Sequence, residues 1–196
     1  SIETLLSCGI ERIILGTGYK KEAYEALQAD FPQIETCFSP RYADTNSMYT
    51  LYNTRDVIGD DSFLLLESDL VFERKAILSL LDVMLVSSLT KFQDQYYVEY
   101  DRNHILTSCS VDKNALEAKG ELVGIHKLSN TFYRRMCADY ATILESQPKL
   151  GYEYELLRMS RSVSPVRVLR VEGLKWYEID DEADLSYAEE HIIRYC

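Results

Sequence analysis

Apolar residues at Ile2, Leu5, Leu6 and Cys8 fall on one face of a helix, and Gly9 follows where a helix usually stops, so the chain opens inside an amphipathic helix. Residues 11–15 are a short β-branched run that ends in Gly-Thr-Gly-Tyr, residues 20–29 return to helical spacing, and 34–38 read as a second strand. After Pro40, residues 45–57 predict a helix capped by Asp44 or Thr45. The run Ser-Phe-Leu-Leu-Leu-Glu at 62–67 is apolar on both faces, which predicts a strand at the centre of a covered parallel sheet. Residues 73–81 then predict a helix and 83–88 a further buried strand, so the first ninety or so positions repeat a strand–helix unit.

The middle of the chain changes character. Residues 96–101 and 104–109 flank an Asp-Arg-Asn turn and predict a hairpin, and 121–128 add a strand. Asn130 is placed as the cap of a long helix to about residue 146, and 152–160 continue as helix. Residues 166–171 alternate like a strand, and 181–193 close the chain as a helix. This order predicts an α/β protein: a doubly wound, Rossmann-like, mixed but mostly parallel sheet with a small β-hairpin excursion. No internal repeat or linker divides the chain, so residues 1–196 are read as a single domain.

Composition narrows the function classes. With 196 residues and 46% hydrophobic content the chain can bury one sizeable core. A formal charge of -11 argues against a nucleic acid or an anionic membrane as partner, because both need a basic field to collect them. No apolar run is long enough to cross a bilayer and the opening lacks a leader pattern, so a cytoplasmic location is expected. The five cysteines are odd in number, widely spaced and without a CxxC pair, which fits reduced thiols better than a disulfide framework or a zinc knuckle.

Three segments carry candidate chemistry. In Glu-Ser-Asp-Leu-Val-Phe-Glu, Ser68 and Asp69 sit just past the end of an apolar strand, where ligands of open α/β sheets collect and a carboxylate can meet a hard cation. Asp69 could equally cap the turn that follows. In Lys-Trp-Tyr-Glu-Ile-Asp-Asp-Glu, an aromatic strand runs into acidic residues, with Asp181 the better helix cap and Asp180 the better ligand. Two separated carboxylates suffice for Mg²⁺, which takes its remaining ligands from phosphates and water. In Arg-Tyr-Ala-Asp-Thr-Asn-Ser, the polar residues Asp44, Asn46 and Ser47 gather at a helix start; they are either a nucleotide-facing edge or simply the cap. The 15 tyrosines are mostly core, with one or two left to face a ligand.

The segments Glu-Thr-Leu-Leu-Ser-Cys-Gly-Ile-Glu-Arg-Ile-Ile-Leu-Gly-Thr-Gly-Tyr, Tyr-Ala-Asp-Thr-Asn-Ser-Met-Tyr-Thr-Leu-Tyr, Leu-Leu-Leu-Glu-Ser-Asp-Leu-Val-Phe-Glu, Gly-Glu-Leu-Val-Gly-Ile-His-Lys-Leu-Ser and Trp-Tyr-Glu-Ile-Asp-Asp-Glu-Ala-Asp-Leu follow one another along nearly the whole chain. In that order the chain resembles the small bacterial nucleotidyltransferases, specifically the phosphocholine cytidylyltransferases and, equally, the 2-aminoethylphosphonate cytidylyltransferases. The resemblance implies that Asp69 and Asp180 are catalytic and hold Mg²⁺, and that Asp44, Asn46, Ser47 and Ser68 bind the nucleotide. It further implies that Trp176, Glu178 and Tyr154 face the substrate amine, with CTP and a small phosphorylated or phosphonylated amine as partners. Such proteins carry a glycine-rich phosphate loop and a lysine upstream of the segment matching Ser1, so the domain is expected to be N-terminally truncated, with the first strand and that loop missing, and activity is expected of the complete protein. Two rivals stay open: a sugar-1-phosphate nucleotidyltransferase using UTP or dTTP, and a non-catalytic nucleotide-binding domain of the same fold. The hairpin at 96–109 could pair with another subunit to give a homodimer.

Overall fold

The computed structural model describes residues 1–78 and 96–196 and the backbone of 84–87. Along the chain run α1 (Ile2–Ser7), β1 (Ile13–Thr17), α2 (Lys21–Glu25), β2 (Ile34–Phe38), α3 (Ser47–Asn53), α4 (Arg55–Ile58), β3 (Phe63–Leu66), β4 (Leu70–Phe72) and α5 (Lys75–Leu78). They are followed by β5 (Met84–Ser87), β6 (Tyr97–Tyr100), β7 (Leu106–Ser110), β8 (Gly120–Leu128), α6 (Asn130–Ile143), α7 (Tyr152–Ser162), β9 (Val168–Val171), β10 (Trp176–Glu178) and α8 (Glu182–His191). The remaining ends of the helix expected over 73–81 and of the strand expected over 83–88 lie outside the described residues. Two compact units form: Ser1–Ile10, Phe63–Leu128 and Ser160–Cys196 in one, Glu11–Ser62 and Ser129–Met159 in the other.

The first unit is organised around β8. Its sheet has the order β7-β6-β8-β5-β9, and β3 also pairs with β8. Eight of the nine β8 residues are buried, Lys127 being the exception, so this strand and not β3 is the covered centre. The expected mixed α/β sheet is present, with β5 and β9 parallel. The ladders of β8 with β3, β5 and β6 are all antiparallel, however. The four residues of β3 are each only half-buried. A continuous apolar run encodes burial on two faces but not the direction of its partner, which is why the parallel central placement of 62–67 does not hold. The hairpin forms as expected, with β6 and β7 antiparallel. Its turn is fixed by Asp101, whose Oδ1 accepts from the N–H groups of Asn103 (2.8 Å) and Ile105 (2.9 Å). Those backbone bonds hold the Asp101 carboxyl below its ordinary value.

The second unit packs α3, α6 and the first two turns of α7 with the parallel pair β1–β2. Strand β1 begins at Ile13, two residues later than the apolar pattern suggests, because Glu11 and Arg12 face solvent and Arg12 pairs with Glu35 at 2.8 Å. The stretch 20–29 is less regular than expected: α2 buries no residue and gives way to a 3₁₀ turn over Ala26–Ala29. On α6, Tyr133, Met136, Cys137 and Tyr140 are buried, the i, i+3, i+4, i+7 spacing of a core-facing stripe. The Tyr133 hydroxyl donates to the Leu51 carbonyl at 2.6 Å, and the rings of Tyr52 and Tyr140 meet edge to face at 5.6 Å. Two caps differ from expectation by one position. Asn46, not Asp44 or Thr45, caps α3, and Ser129, not Asn130, caps α6, its hydroxyl accepting from the Phe132 N–H at 3.3 Å. In both cases neighbouring polar residues compete for one role and the backbone turn decides. None of the five cysteines forms a disulfide.

Candidate metal centre

Three strand ends of the first unit bring carboxylates together. Strand β3 pairs with β8 up to Leu66 opposite Ile125, and the next residue, Glu67, donates its N–H to the Gly124 carbonyl at 3.1 Å. The chain then turns through Ser68 and Asp69 into β4, which runs antiparallel to β10 with Leu70 opposite Glu178. One step further, the Ile179 N–H donates to the Asp69 carbonyl at 2.9 Å. As a result one carboxylate oxygen each from Glu67, Asp69 and Glu178 lie within 4.8 Å of one another. Glu67 and Glu178 are half-buried and Asp69 is exposed.

Such a gathering has an electrostatic cost. Each ionised pair at this spacing repels by roughly 1 kcal/mol in water-like surroundings and 3–4 kcal/mol at an effective dielectric of about 20. A divalent cation reverses the sign, and an all-oxygen donor set suits a hard ion such as Mg²⁺ or Mn²⁺. The backbone is shaped to this arrangement: Gly124 has φ +72°, and a Cβ added there would press on the Glu67 carboxylate and approach Leu70 Cδ1 at 3.2 Å.

Of the residues singled out from sequence, Asp69 and Glu178 belong to this trio, although Glu178 is the one assigned to an amine-facing wall. Asp180 is outside it; its N–H donates to Asp184 Oδ2 at 3.1 Å. Asp181 caps α8, accepting from the N–H groups of Ala183 (2.8 Å) and Asp184 (2.9 Å). Ser68 is exposed in the turn, and Trp176 is 3% exposed opposite Phe72 in the β4–β10 ladder, a core position. Sequence reasoning passed over Glu67. Its signal was alternation: Glu67 and Asp69 flank one residue at the end of an apolar run, so a turn can aim both at the same point.

The remaining candidates lie in the second unit. Exposed Asp44 pairs with Arg41 at 3.0 Å, and Arg41 also reaches Glu145 at 2.9 Å. Asn46 Oδ1 accepts from the Ser47 N–H at 2.7 Å and its Nδ2 donates to the Lys149 carbonyl at 3.3 Å. Ser47 Oγ accepts from the Tyr152 N–H at 3.1 Å. These side chains therefore tie the 41–47 segment to the turn before α7, and Tyr154 is half-buried on that helix.

Buried ionisable groups also stand outside these clusters, His126 and Glu155 among them. Burial pushes His126 on β8 down to about 3, so its imidazole is neutral at physiological pH. Burial also pushes Glu155 on α7 up to about 7, against the lowering effect of Arg158, whose Nε donates to Glu155 Oε2 at 3.0 Å. Arg158 in turn bonds Asp139 on α6, whose carboxylate raises Glu155 further.

No family model matches the chain. A 2-aminoethylphosphonate cytidylyltransferase of Lancefieldella rimae is 30% identical over 70 residues, which are 36% of this chain and 28% of that protein. The aligned stretch thus spans little more than a quarter of that relative's length. The solved CTP:phosphocholine cytidylyltransferase of Streptococcus pneumoniae superposes with a TM-score of 0.77 at 21% identity, covering 96% of this chain and 82% of that one. The inositol-1-phosphate CTP transferase of T. maritima gives a TM-score of 0.79 at 17% identity, covering 96% of this chain and 78% of that one. The chain therefore has the fold of nucleotidyltransferases. Among the described residues no helix is long and apolar enough to cross a membrane.

Proposed function

We propose that the protein carrying this chain transfers CMP from CTP to a small phosphorylated or phosphonylated amine, phosphocholine or 2-aminoethylphosphonate, and releases pyrophosphate. One observation carries this reading: three hard carboxylate donors, Glu67, Asp69 and Glu178, meet at strand ends of a nucleotidyltransferase fold. The partial sequence likeness to an aminoethylphosphonate enzyme supports the acceptor class.

Glu67, Asp69 and Glu178 would hold Mg²⁺, with Asp180, two residues beyond Glu178, as a further candidate ligand. A bound divalent ion would supply positive charge to offset that of the phosphates in the transfer. The chain's own part is positional. The β4–β10 ladder fixes Asp69 and Glu178 relative to one another, and the β3–β8 ladder fixes Glu67, so the donors need little rearrangement on binding. In the reaction, an oxygen of the acceptor's phosphate or phosphonate forms a bond to the α-phosphorus of CTP, and the bond from that phosphorus to the bridging oxygen breaks to expel pyrophosphate. The α3 segment with Asp44, Asn46 and Ser47 would line the nucleotide chiefly through its backbone, Asp44 being paired with Arg41 and the other two side chains holding the turn. Trp176 would support this site from the core.

Pyrophosphate release by the complete protein, measured across CTP, UTP and dTTP with phosphocholine, 2-aminoethylphosphonate and hexose 1-phosphates, tests the proposal. Turnover of CTP with one of the amines is expected. Turnover confined to hexose 1-phosphates, or none with any pair, contradicts it.

A further inference from the structure

Gly124 occupies an unusual place in β8, the most buried strand among the described residues. It lies within β8, a nine-residue strand, yet has φ +72°, a left-handed conformation that interrupts the regular pleat. Its carbonyl accepts the Glu67 N–H at 3.1 Å. The Glu67 side chain then folds back over the same glycine, so that an added Cβ would meet the carboxylate first, with Glu67 Cδ at 2.9 Å and Leu70 Cδ1 at 3.2 Å. The nearest atoms are the far end of a flexible side chain. A methyl group there would be accommodated by moving the Glu67 carboxylate, which is the very group that meets Asp69 and Glu178.

We propose that Gly124 is a positioning residue for the cation site: its bare backbone is the seat on which the Glu67 carboxylate rests, and filling that seat displaces one of the three donors. The inference rests on the reading that Glu67, Asp69 and Glu178 hold a divalent ion, and adds that the geometry of the trio is set from β8 by a residue with no ligating atom. The left-handed backbone and the close approach act together. Left-handed φ is the conformation that only glycine adopts without cost, and it presents the open side of the strand to the carboxylate.

Gly173 supplies the matched control. It belongs to the same unit and has φ +67°, but a Cβ there would meet nothing within 4 Å. Gly124→Ala and Gly173→Ala therefore incur similar backbone strain, and only the first intrudes on a carboxylate. The test is titration of the full chain with Mn²⁺, read by the electron paramagnetic resonance signal of the unbound ion, with thermal unfolding followed in parallel. Gly124→Ala is expected to weaken Mn²⁺ binding about 10–100-fold, the usual effect of disturbing a group that orients a metal ligand. Gly173→Ala is expected to leave binding within about twofold while lowering the melting temperature comparably. In a Glu67→Gln background, Gly124→Ala should add no further loss, because the group it displaces no longer ligates.

Unchanged binding in Gly124→Ala, equal loss in Gly173→Ala, or a full additional loss in the Glu67→Gln background would each overturn the proposal. If Gly124→Ala does not fold, Glu67→Asp reads the same geometry from the other side. Shortening the side chain withdraws the carboxylate from the Gly124 seat and should cost as much affinity as Glu67→Gln, whereas retained affinity overturns the proposal. A wild-type chain that binds no Mn²⁺ contradicts the underlying cation site, and a wild-type chain that binds but ignores Gly124→Ala contradicts this inference alone.

Discussion

The backbone N–H of Ile179 donates to the carbonyl of Asp69 at 2.9 Å, extending the β4–β10 ladder by one bond past Glu178 and Leu70. That bond fixes the relation between two acidic stretches far apart in sequence, and it does so through the backbone, where side-chain substitution cannot reach it. Removing a carboxylate from this region should therefore alter charge and ligation while leaving the ladder in place.

The adjacent aspartates at 180 and 181 should behave differently for this reason. Asp181 accepts two backbone N–H groups at the start of α8, so Asp181→Ala is expected to cost about 1 kcal/mol of stability. Chemical denaturation measures this, and Mn²⁺ affinity should be unaffected. Asp180→Asn should have the smaller effect on stability. If Asp180 is a ligand in addition to the trio, Asp180→Asn weakens Mn²⁺ binding, and if the trio alone suffices it does not.

The α3 segment offers a second test. Asn46 bonds both the Ser47 N–H and the Lys149 carbonyl, and Ser47 accepts from Tyr152. Loss of the cap in Asn46→Ala should cost about 0.5–2 kcal/mol. Because the same bonds hold the 41–47 segment, the proposed activity of the complete protein is expected to show, on Asn46→Ala, a raised KM for CTP with a smaller change in kcat. A fall in kcat at constant KM would contradict a nucleotide-positioning role for this segment.

Glu155 makes stability depend on pH. Its side chain is fully buried, and burial, reinforced by Asp139 and opposed by Arg158, raises the carboxyl from an ordinary value of 4.5 to about 7. Tyr140, Cys137 and Asp139 on α6 are the other ionisable groups coupled to it, together with Arg158 on its own helix. The folded state thus binds a proton that the unfolded state has already released between about 4.5 and about 7. This group's contribution is favourable below that window and is lost as pH rises through it, by an amount on the order of 1–3 kcal/mol. Urea unfolding of wild type at pH 5 and pH 7.5 should show the decline, and Glu155→Gln should flatten it. A pH dependence unchanged in Glu155→Gln would rule the group out as its source.

Much of the fold was legible because its elements are strongly periodic: the α6 stripe, the hairpin about Asp101, and the aromatic strand running into the α8 cap all follow from spacing and turn chemistry. Strand direction was not legible. The run Phe63–Leu66 is compatible with a parallel or an antiparallel partner, and β8 supplied the latter. In the site, Asp69 stood out because it follows an apolar strand, whereas after the aromatic strand the sequence favoured Asp180 as the ligand and gave Glu178, the residue that meets Asp69, to the amine. Glu67 was hidden as the last residue of an apolar run, and Gly124 could not be recognised at all, since its role depends on a register between strands that the sequence does not display. Neighbouring cap candidates were resolved only by the backbone, as at Asn46 and Ser129.

The most direct test of the cation site is anomalous diffraction from crystals of the protein equilibrated with Mn²⁺. The expected result is one strong peak coordinated at about 2.1 Å by oxygens of Glu67, Asp69 and Glu178. A peak bound elsewhere in the chain, with no density among these three carboxylates, would contradict it.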